Sequence, residues 1–269
     1  MIEKFRQRYR YSLIILKQLV ITDFKLRYKG SVLGYLWTLL RPLALFAVLY
    51  VVFVNFLRFG GGVPHFPVYL LLGVVLWSYF VEVTVNGVTS VVGKGDLMRK
   101  LAFPRYVVVI AGSTSAFINL AINLLVVLIF MLLNGVSLTW NILWLPLIIL
   151  ELFVFALGLS FLLSALYVRF RDINYVWEVV LQAGFYVTPI IYPLSEVEKF
   201  SELAARILLL SPVAQIIQDA RYVMVTTASP TVHAAFARYW VVPFVIVALT
   251  AVCSTYYFRK TSPRFAEEV

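Results

Sequence analysis

Six stretches of this 269-residue chain stay apolar for about 20 residues or more, which is what a helix needs to cross about 30 Å of hydrocarbon. They cover about 31–57, 67–92, 106–133, 140–168, 173–192 and 239–258. Arg41–Pro42 interrupts the first, and Glu82, Glu151 and Glu178 fall in the second, fourth and fifth. Inside a bilayer each backbone amide must be satisfied within its own segment, so such runs fold as helices. The expected fold is an all-α membrane protein with six transmembrane helices. Composition agrees: 62% of residues are apolar and 13% charged, where soluble domains average about 45–50% and about 25%. Soluble globular, disordered, collagen-like and disulfide-rich secreted folds are excluded. The single cysteine, Cys253, has no internal partner and reads as a small buried or lipid-facing side chain.

The net charge of +10 is informative through its placement. With the N-terminus in the cytoplasm, segments 1–41, 93–105, 169–171 and 259–269 hold nine, four, two and three Lys or Arg. The opposite side holds five: Arg58, Lys199, Arg206, Arg221 and Arg238. Basic residues mark cytoplasmic segments, so both termini are expected there. The same topology explains the basic residues without nucleic-acid readout. Lys17 and Lys25 break any apolar core of a signal peptide.

Three segments depart from the span pattern. In 1–29, Ile2, Phe5, Tyr9, Leu13, Leu16 and Val20 recur at helical spacing, with Lys4, Arg8, Arg10 and Lys17 off that stripe. This predicts an amphipathic helix on the cytoplasmic membrane surface, with a topology-fixing basic tail as the plainer alternative. In 93–105, Asp96 is placed to cap a short helix holding Leu97, Met98 and Leu101, ended by Pro104. In the outer segment 193–238, Leu203–Leu210 and Val213–Ile217 are too short to span and are split by Ser211-Pro212, which suits a re-entrant hairpin. The main membrane domain is 30–259, followed by a cytoplasmic tail, 259–269. Asn134–Gly135 reads as a tight turn.

Catalytic chemistry is sparse. His65 and His233 fall in predicted outer loops without neighbouring ligands or a suitably spaced acid. No Walker A loop is present: five residues separate Gly87 from the Gly93-Lys94 pair where four are required, and Gly95 stands where Ser or Thr belongs. The chain is therefore expected to bind no cofactor or metal and to perform no catalysis of its own. Glu82, Glu151 and Glu178 admit either proton coupling or interior hydrogen bonding, and no span holds an obvious basic partner. Phe46, Tyr50 and Phe53 share one face of the first span, and Trp177 and Tyr186 belong to an aromatic cluster in the fifth. Packing accounts for such rings, as does a conduit in which flat faces hold sugars weakly.

Several of these segments together resemble one family. Arg27 to Trp37 (RYKGSVLGYLW) with Arg41-Pro42-Leu43, the loop Lys94–Arg105 ending KLAFPR, and Tyr167–Ile173 (YVRFRDI) are similar to the ABC-2 type permeases that export polysaccharides and teichoic acids. Thr188–Pro193 (TPIIYP) and Ser211-Pro212-Val213 resemble that family's fifth-span ending and external segment, with Ser211 where Asn is common. The resemblance implies a homodimer of six-helix subunits in a bacterial or archaeal plasma (inner) membrane. Each subunit would be bound to a separate cytoplasmic ATPase carrying ATP and Mg, and would move a lipid-linked glycan or polyol phosphate polymer. Asp96, Leu97, Met98, Arg99, Lys100, Phe103, Pro104, Arg105, Arg169, Arg171 and Asp172 would contact the ATPase. Pro189, Tyr192, Pro193, Ser211 and Pro212 would form an external gate, and Phe46, Tyr50, Phe53, Trp177 and Tyr186 would line the path. A drug or small-lipid exporter is the alternative within transport. A membrane glycosyl- or acyltransferase is the alternative outside it, disfavoured by the missing acid or histidine cluster.

Overall fold

A computed structural model describes residues 2–27, 29–57, 62–100, 103–235 and 240–265 and, for residues 2–9 and 235, the backbone alone. Tyr28, Leu101 and Ala102 of the motifs, Arg58 and Arg238 of the charge count, and Tyr239 of the sixth run lie outside it. So do the side chains of Ile2, Lys4, Phe5, Arg8 and Tyr9. Among the described residues the structure is helical, with no strand. Five helical stretches are long and apolar enough to span a membrane: Gly34–Phe56, Phe66–Gly93, Tyr106–Leu133, Trp140–Arg169 and Val242–Arg264. The bent pair Glu202–Leu209 and Pro212–Met224, at 96°, makes six if it counts as one broken span.

Helix α1 (Ile2–Arg27) precedes α2 (Trp37–Leu49), which passes into a π-helical stretch at Tyr50–Phe56. Pro42 inside α2 has no N–H to offer the carbonyl of Thr38. Asn123 fills the gap, its Nδ2 donating to Thr38 O at 3.2 Å. Asn123 lies on α5 (Tyr106–Leu133). The central helix is α3 (Phe66–Gly93), against which α2, α5, α6 (Leu145–Arg169) and α7 (Ile173–Val187) all pack. Helices attract one another in lipid through close packing and hydrogen bonds rather than the hydrophobic effect. Gly87 provides such an approach: a Cβ there would sit 2.5 Å from Ser160 Oγ. That hydroxyl lies between α3 and α6, within hydrogen-bond distance of Val83 O at 3.0 Å and Ala156 O at 2.8 Å.

The Asn134–Gly135 turn is present and ends α5. Gly135 has φ +70°, Val136 N–H bonds Met131 O at 3.0 Å, and Gly135 N–H bonds Leu132 O at 3.2 Å. This pair of bonds satisfies carbonyls the helix end would otherwise leave open.

The fifth apolar run departs from expectation. It is helical for only 15 residues, about 22 Å, and stops at Val187. Thr188 precedes a proline and is driven to extended geometry, with ψ 134°. The hydroxyl of Tyr192 folds back onto the carbonyls of Tyr186 (3.1 Å) and Val187 (2.8 Å), capping the helix.

Beyond it come α8 (Leu194–Phe200), α9 (Glu202–Leu209), α10 (Pro212–Met224), α11 (Val232–Ala235) and α12 (Val242–Thr261). Helix α10 is buried along most of its length against α3 and α6. The α1 stripe also differs. Ser12 and Leu19 are buried, and Ile15, Leu16 and Val20 pack with them against Val107, Val108 and Ala111 of α5, while Leu13 is exposed. Apolar residues occupy more than one side of this helix, and the α5 contact takes Ile15 and Leu19, which a single stripe left out.

Candidate functional site

The residues of α3 facing one way at helical spacing are Val75, Ser78, Tyr79, Glu82, Val85 and Asn86. They form the floor of a cleft of about 1150 Å³ between α2, α3, α5 and α7. Thr38, Arg41 and Leu45 of α2 form one wall, and Gln182, Phe185 and Tyr186 of α7 another. From α5 come Asn119 and Asn123, one turn apart, and Arg27 reaches in from the end of α1. Trp37 and Trp77 add two indole rings, the second 6.1 Å from Phe185.

Glu82 is held within this cleft. Arg27 Nη1 forms an ion pair with its Oε1, and Asn119 Nδ2 donates to the same oxygen at 2.7 Å. The basic partner of this intramembrane acid is therefore on α1, not on another span. Three other polar atoms of cleft-lining residues are buried and have no partner among the described residues: Tyr79 OH, Asn86 Nδ2 and Asn119 Oδ1. Arg41 makes no hydrogen bond or ion pair among the described residues.

The hairpin end of the bundle is built around Arg221, which is fully buried. Its Nε donates to Tyr69 O at 3.1 Å, Nη1 to Pro189 O at 2.6 Å and Nη2 to Ile190 O at 2.7 Å. The guanidinium lies 3.5 Å above the Tyr69 ring, a cation–π contact. Gly73 makes room, since a Cβ there would sit 2.5 Å from Arg221 Nη2. One side chain of α10 thus ties the turn after α7 to the start of α3.

Residues from the expected gate gather here. Pro189 supplies a carbonyl to Arg221, and Tyr192 caps α7. Pro193 and Ser211 are the N-caps of α8 and α10, neither with a side-chain cap bond, and Pro212 is buried in the first turn of α10. Glu151 lies beside Gln215 and Asp219 of α10, and Gln215 Nε2 donates to Asp219 Oδ2 at 2.5 Å. Glu178 accepts from Asn174 Nδ2 at 3.0 Å on an exposed face.

At the other end, α3 leads into α4 (Gly95–Lys100), with Asp96 in the first turn rather than at the cap. Leu97, Met98 and Phe103 pack with Ile15, Leu16, Leu19 and Val20 of α1. Lys94 Nζ bonds both carboxylate oxygens of Asp23, at 2.9 and 2.8 Å. Met98, Arg99, Lys100, Phe103, Pro104 and Arg105 line a hollow of about 550 Å³ together with the end of α12, where Arg105 Nη1 bonds Ser262 O. Arg169, Arg171 and Asp172 do not join it. They sit exposed between α6 and α7, Arg169 over Phe170 and Arg171 over Tyr167, with no Arg169–Asp172 ion pair among the described residues.

Of the five conduit aromatics, Tyr186 lines the large cleft. Phe46 packs edge-on against Phe130 of α5 at 5.6 Å and beside Tyr50 at 5.7 Å. Tyr50, Phe53 and Trp177 pack against the core, Trp177 edge-on to Phe80. Trp77, Phe185, Tyr79 and the three asparagines of the cleft belong to no motif, and the 3–4 spacing of Ser78/Tyr79, Glu82 and Asn86 within an apolar run is the sequence signal for them.

A bundle of membrane helices with a polar, aromatic cleft and short helical loops at one end has the organisation of a permease, and the chain belongs to the ABC-2 type transporter family, whose pattern matches residues 15–225. It is 30% identical over 198 residues to an O-antigen export system permease protein, RfbA, of Myxococcus xanthus, covering 74% of this chain and 75% of that protein. It is 32% identical over 204 residues to a protein of the same name from Klebsiella pneumoniae, covering 74% and 76%.

Proposed function

We propose that this chain is the permease subunit of an ATP-driven exporter that moves a lipid-linked polysaccharide out of the cytoplasm across the plasma or inner membrane. The observation that carries this reading is the match of three quarters of the chain to O-antigen export permeases. The cleft supports it, because aromatic faces and amides suit sugar rings better than drug-like apolar cargo. A polyol phosphate polymer remains the alternative cargo of the same machinery.

In this reading α1 lies at the cytoplasmic interface, α7 with its Thr188–Tyr192 turn is a short sixth span, and α9–α10 is a re-entrant hairpin on the outer side. Both termini are cytoplasmic. Two copies frame the path, and two ABC ATPase subunits carrying ATP and Mg engage Asp96–Arg105 and Arg169–Asp172. Those residues suit a contact: Asp96, Arg99, Lys100, Arg169, Arg171 and Asp172 are all exposed. Pro189, Tyr192, Pro193, Ser211 and Pro212 form the outer gate. Tyr186 faces the passing polymer, while Phe46, Tyr50, Phe53 and Trp177 support the wall behind it.

Vesicles containing this chain and its ATPase, given ATP and a defined lipid-linked glycan, should accumulate the glycan on the far side. Assembled complexes that hydrolyse ATP but move no glycan would overturn the proposal.

A further inference from the structure

We infer that the hollow between α4, the start of α5 and the end of α12 holds the headgroup of an acidic phospholipid of the phosphatidylglycerol type. Arg105 and Arg259 meet its phosphate, and an acyl chain lies along the outer face of α12. This goes beyond the export reading and does not rest on it. It needs only that α5 and α12 span a membrane.

The hollow, of about 550 Å³, falls within the range of about 300–1,000 Å³ usual for small-ligand sites. Its wall includes Tyr106, the first residue of one apolar span, and Arg259 and Ser262 near the end of another. A hollow shared by two span ends lies where hydrocarbon gives way to headgroups. Arg99, Lys100, Arg105 and Arg259 converge on it, and no acid lines it among the described residues. None of the four belongs to an ion pair among those residues. Arg105 is the fixed one. Its Nη1 bonds Ser262 O, which holds the guanidinium in place and leaves four of its five N–H donors for a ligand. Guanidinium meets phosphate through two parallel hydrogen bonds, so arginine suits this task.

Four cations attract any phosphate, so the adjoining surface decides what carries it. Leu249, Val252 and Tyr256 of α12 are exposed, and their spacings of 3 and 4 put them on one helix face. Arg259 follows three residues on and continues that face. From Leu249 to Arg259 the stripe rises about 15 Å, half the hydrocarbon thickness and so the depth of one leaflet. An acyl chain laid on it brings its headgroup to Arg259. A free phosphate makes no use of the stripe. A zwitterionic headgroup sets its ammonium or choline cation against four basic side chains, with no acid in the wall to meet it. A headgroup with net negative charge and hydroxyls avoids that repulsion. Asp96 is exposed and outside the wall, so a lipid in the hollow leaves it open to the ATPase.

The test uses the full chain with its ATPase in phosphatidylcholine nanodiscs that carry a little phosphatidylglycerol with a photoreactive acyl chain. Labelling should saturate and map to residues 249–259. Unlabelled phosphatidylglycerol should displace the probe, whereas added phosphatidylcholine or soluble glycerol phosphate should not. Arg259→Gln should weaken labelling about fivefold, and the double variant with Arg105→Gln about 25-fold, as each basic residue at a membrane surface contributes. Lys260→Gln, the same charge change one position away and outside the wall, should have a much smaller effect. An equal loss in Lys260→Gln would mean unspecific attraction of acidic lipid. Displacement by glycerol phosphate would mean a plain anion site. Labelling of the chain alone that vanishes in the complex would give the hollow to the ATPase. No labelling of 249–259, as when a second copy covers that face, would leave no lipid there. Each of these outcomes overturns the inference. Should Arg105→Gln fail to assemble, Arg259→Gln, at the exposed end of α12, still decides. Glycan export is read in no arm, so the export reading falls or stands separately.

Discussion

At one end of α3, Arg221 is sealed from solvent and donates to three carbonyls. At the other, some 25 residues and about 37 Å along the helix, Lys94 holds Asp23 in a pair that is about a quarter exposed. Both contacts join α3 to a neighbouring segment, but they are built for different uses. The carbonyls of Pro189 and Ile190 have no other donor among the described residues, so the Arg221 junction is either made or broken. A solvated ion pair loses little on separation, because water replaces each partner. The hairpin end is therefore a fixed anchor, and the α1 end is the adjustable one, where a partner that pushes on α4 can shift α1 and, through Arg27, reach Glu82 in the cleft.

The largest effect is expected from removing the anchor. Arg221→Met keeps the bulk and deletes the donors, leaving the buried carbonyls of Pro189 and Ile190 without their partner, while Tyr69 O keeps its bond within the helix. The loss should be about 2–5 kcal/mol, the cost of two buried acceptors left unpaired. Thermal unfolding of the purified protein in detergent should shift strongly downward. A shift of only a degree or two would mean that the hairpin end is not anchored in this way, and the contrast between the ends would be lost.

Gly73→Ala tests the same junction more gently. Its Cβ would meet Arg221 Nη2 at 2.5 Å and Cζ at 3.3 Å, inside contact distance of a group fixed by three bonds. The guanidinium has nowhere to withdraw, so a cost of about 1–3 kcal/mol is expected. Gly73→Ala in an Arg221→Met background should cost much less, since the obstacle has gone. Additive losses in the double variant would show that the glycine matters for another reason.

Much of the bundle was legible because hydrophobic length is a property each segment carries alone. The five long spans and the Gly135 turn need no knowledge of neighbours. The Thr188-Pro189 motif announced a helix end, although the run around it looked long enough to span. Arg221 was hidden for the opposite reason. Its partners are backbone carbonyls, which leave no mark in a sequence, and a single arginine between apolar runs looks like a loop cation. Glu82 was recognised as unusual, but its partner lies 55 positions away on a segment read as peripheral. The cleft fell between these cases. Its polar residues are on one face of α3 at readable spacing, but their significance depends on α2, α5 and α7 leaving that face uncovered. Phe46 and Tyr50 lie side by side and Phe46 turns toward Phe130 of α5, while the π-helical turn that begins at Tyr50 alters the spacing to Phe53, and neither is revealed by α-helical periodicity.

The Pro42 repair lies between the extremes. Asn123→Leu removes the donor to Thr38 O and leaves that carbonyl open beside a proline. About 1 kcal/mol is expected, within the range for one hydrogen bond lost at a partly buried site. Thermal shift would measure it, and Asn123→Gln should recover part of the loss by reaching the same carbonyl.

The smallest stability effect should come from the α1 end. Asp23→Asn or Lys94→Gln should lower stability by no more than about 1 kcal/mol, because both groups retain access to water. Added salt should narrow even that difference. What the pair controls is position: it fixes the last turns of α1 relative to the start of α4, and so the place at which Arg27 meets Glu82. If α1 carries motion from the ATPase to the cleft, either single variant should leave ATP hydrolysis running while reducing glycan export. The exchanged pair, Asp23→Lys with Lys94→Asp, should restore export, because the contact is re-formed with its charges reversed. Rescue by the exchange separates a specific contact from a general need for charge at either position. Export unchanged in both single variants would make the pair ornamental and leave the α1 end without its proposed use, while the anchor at Arg221 would stand on its own measurements.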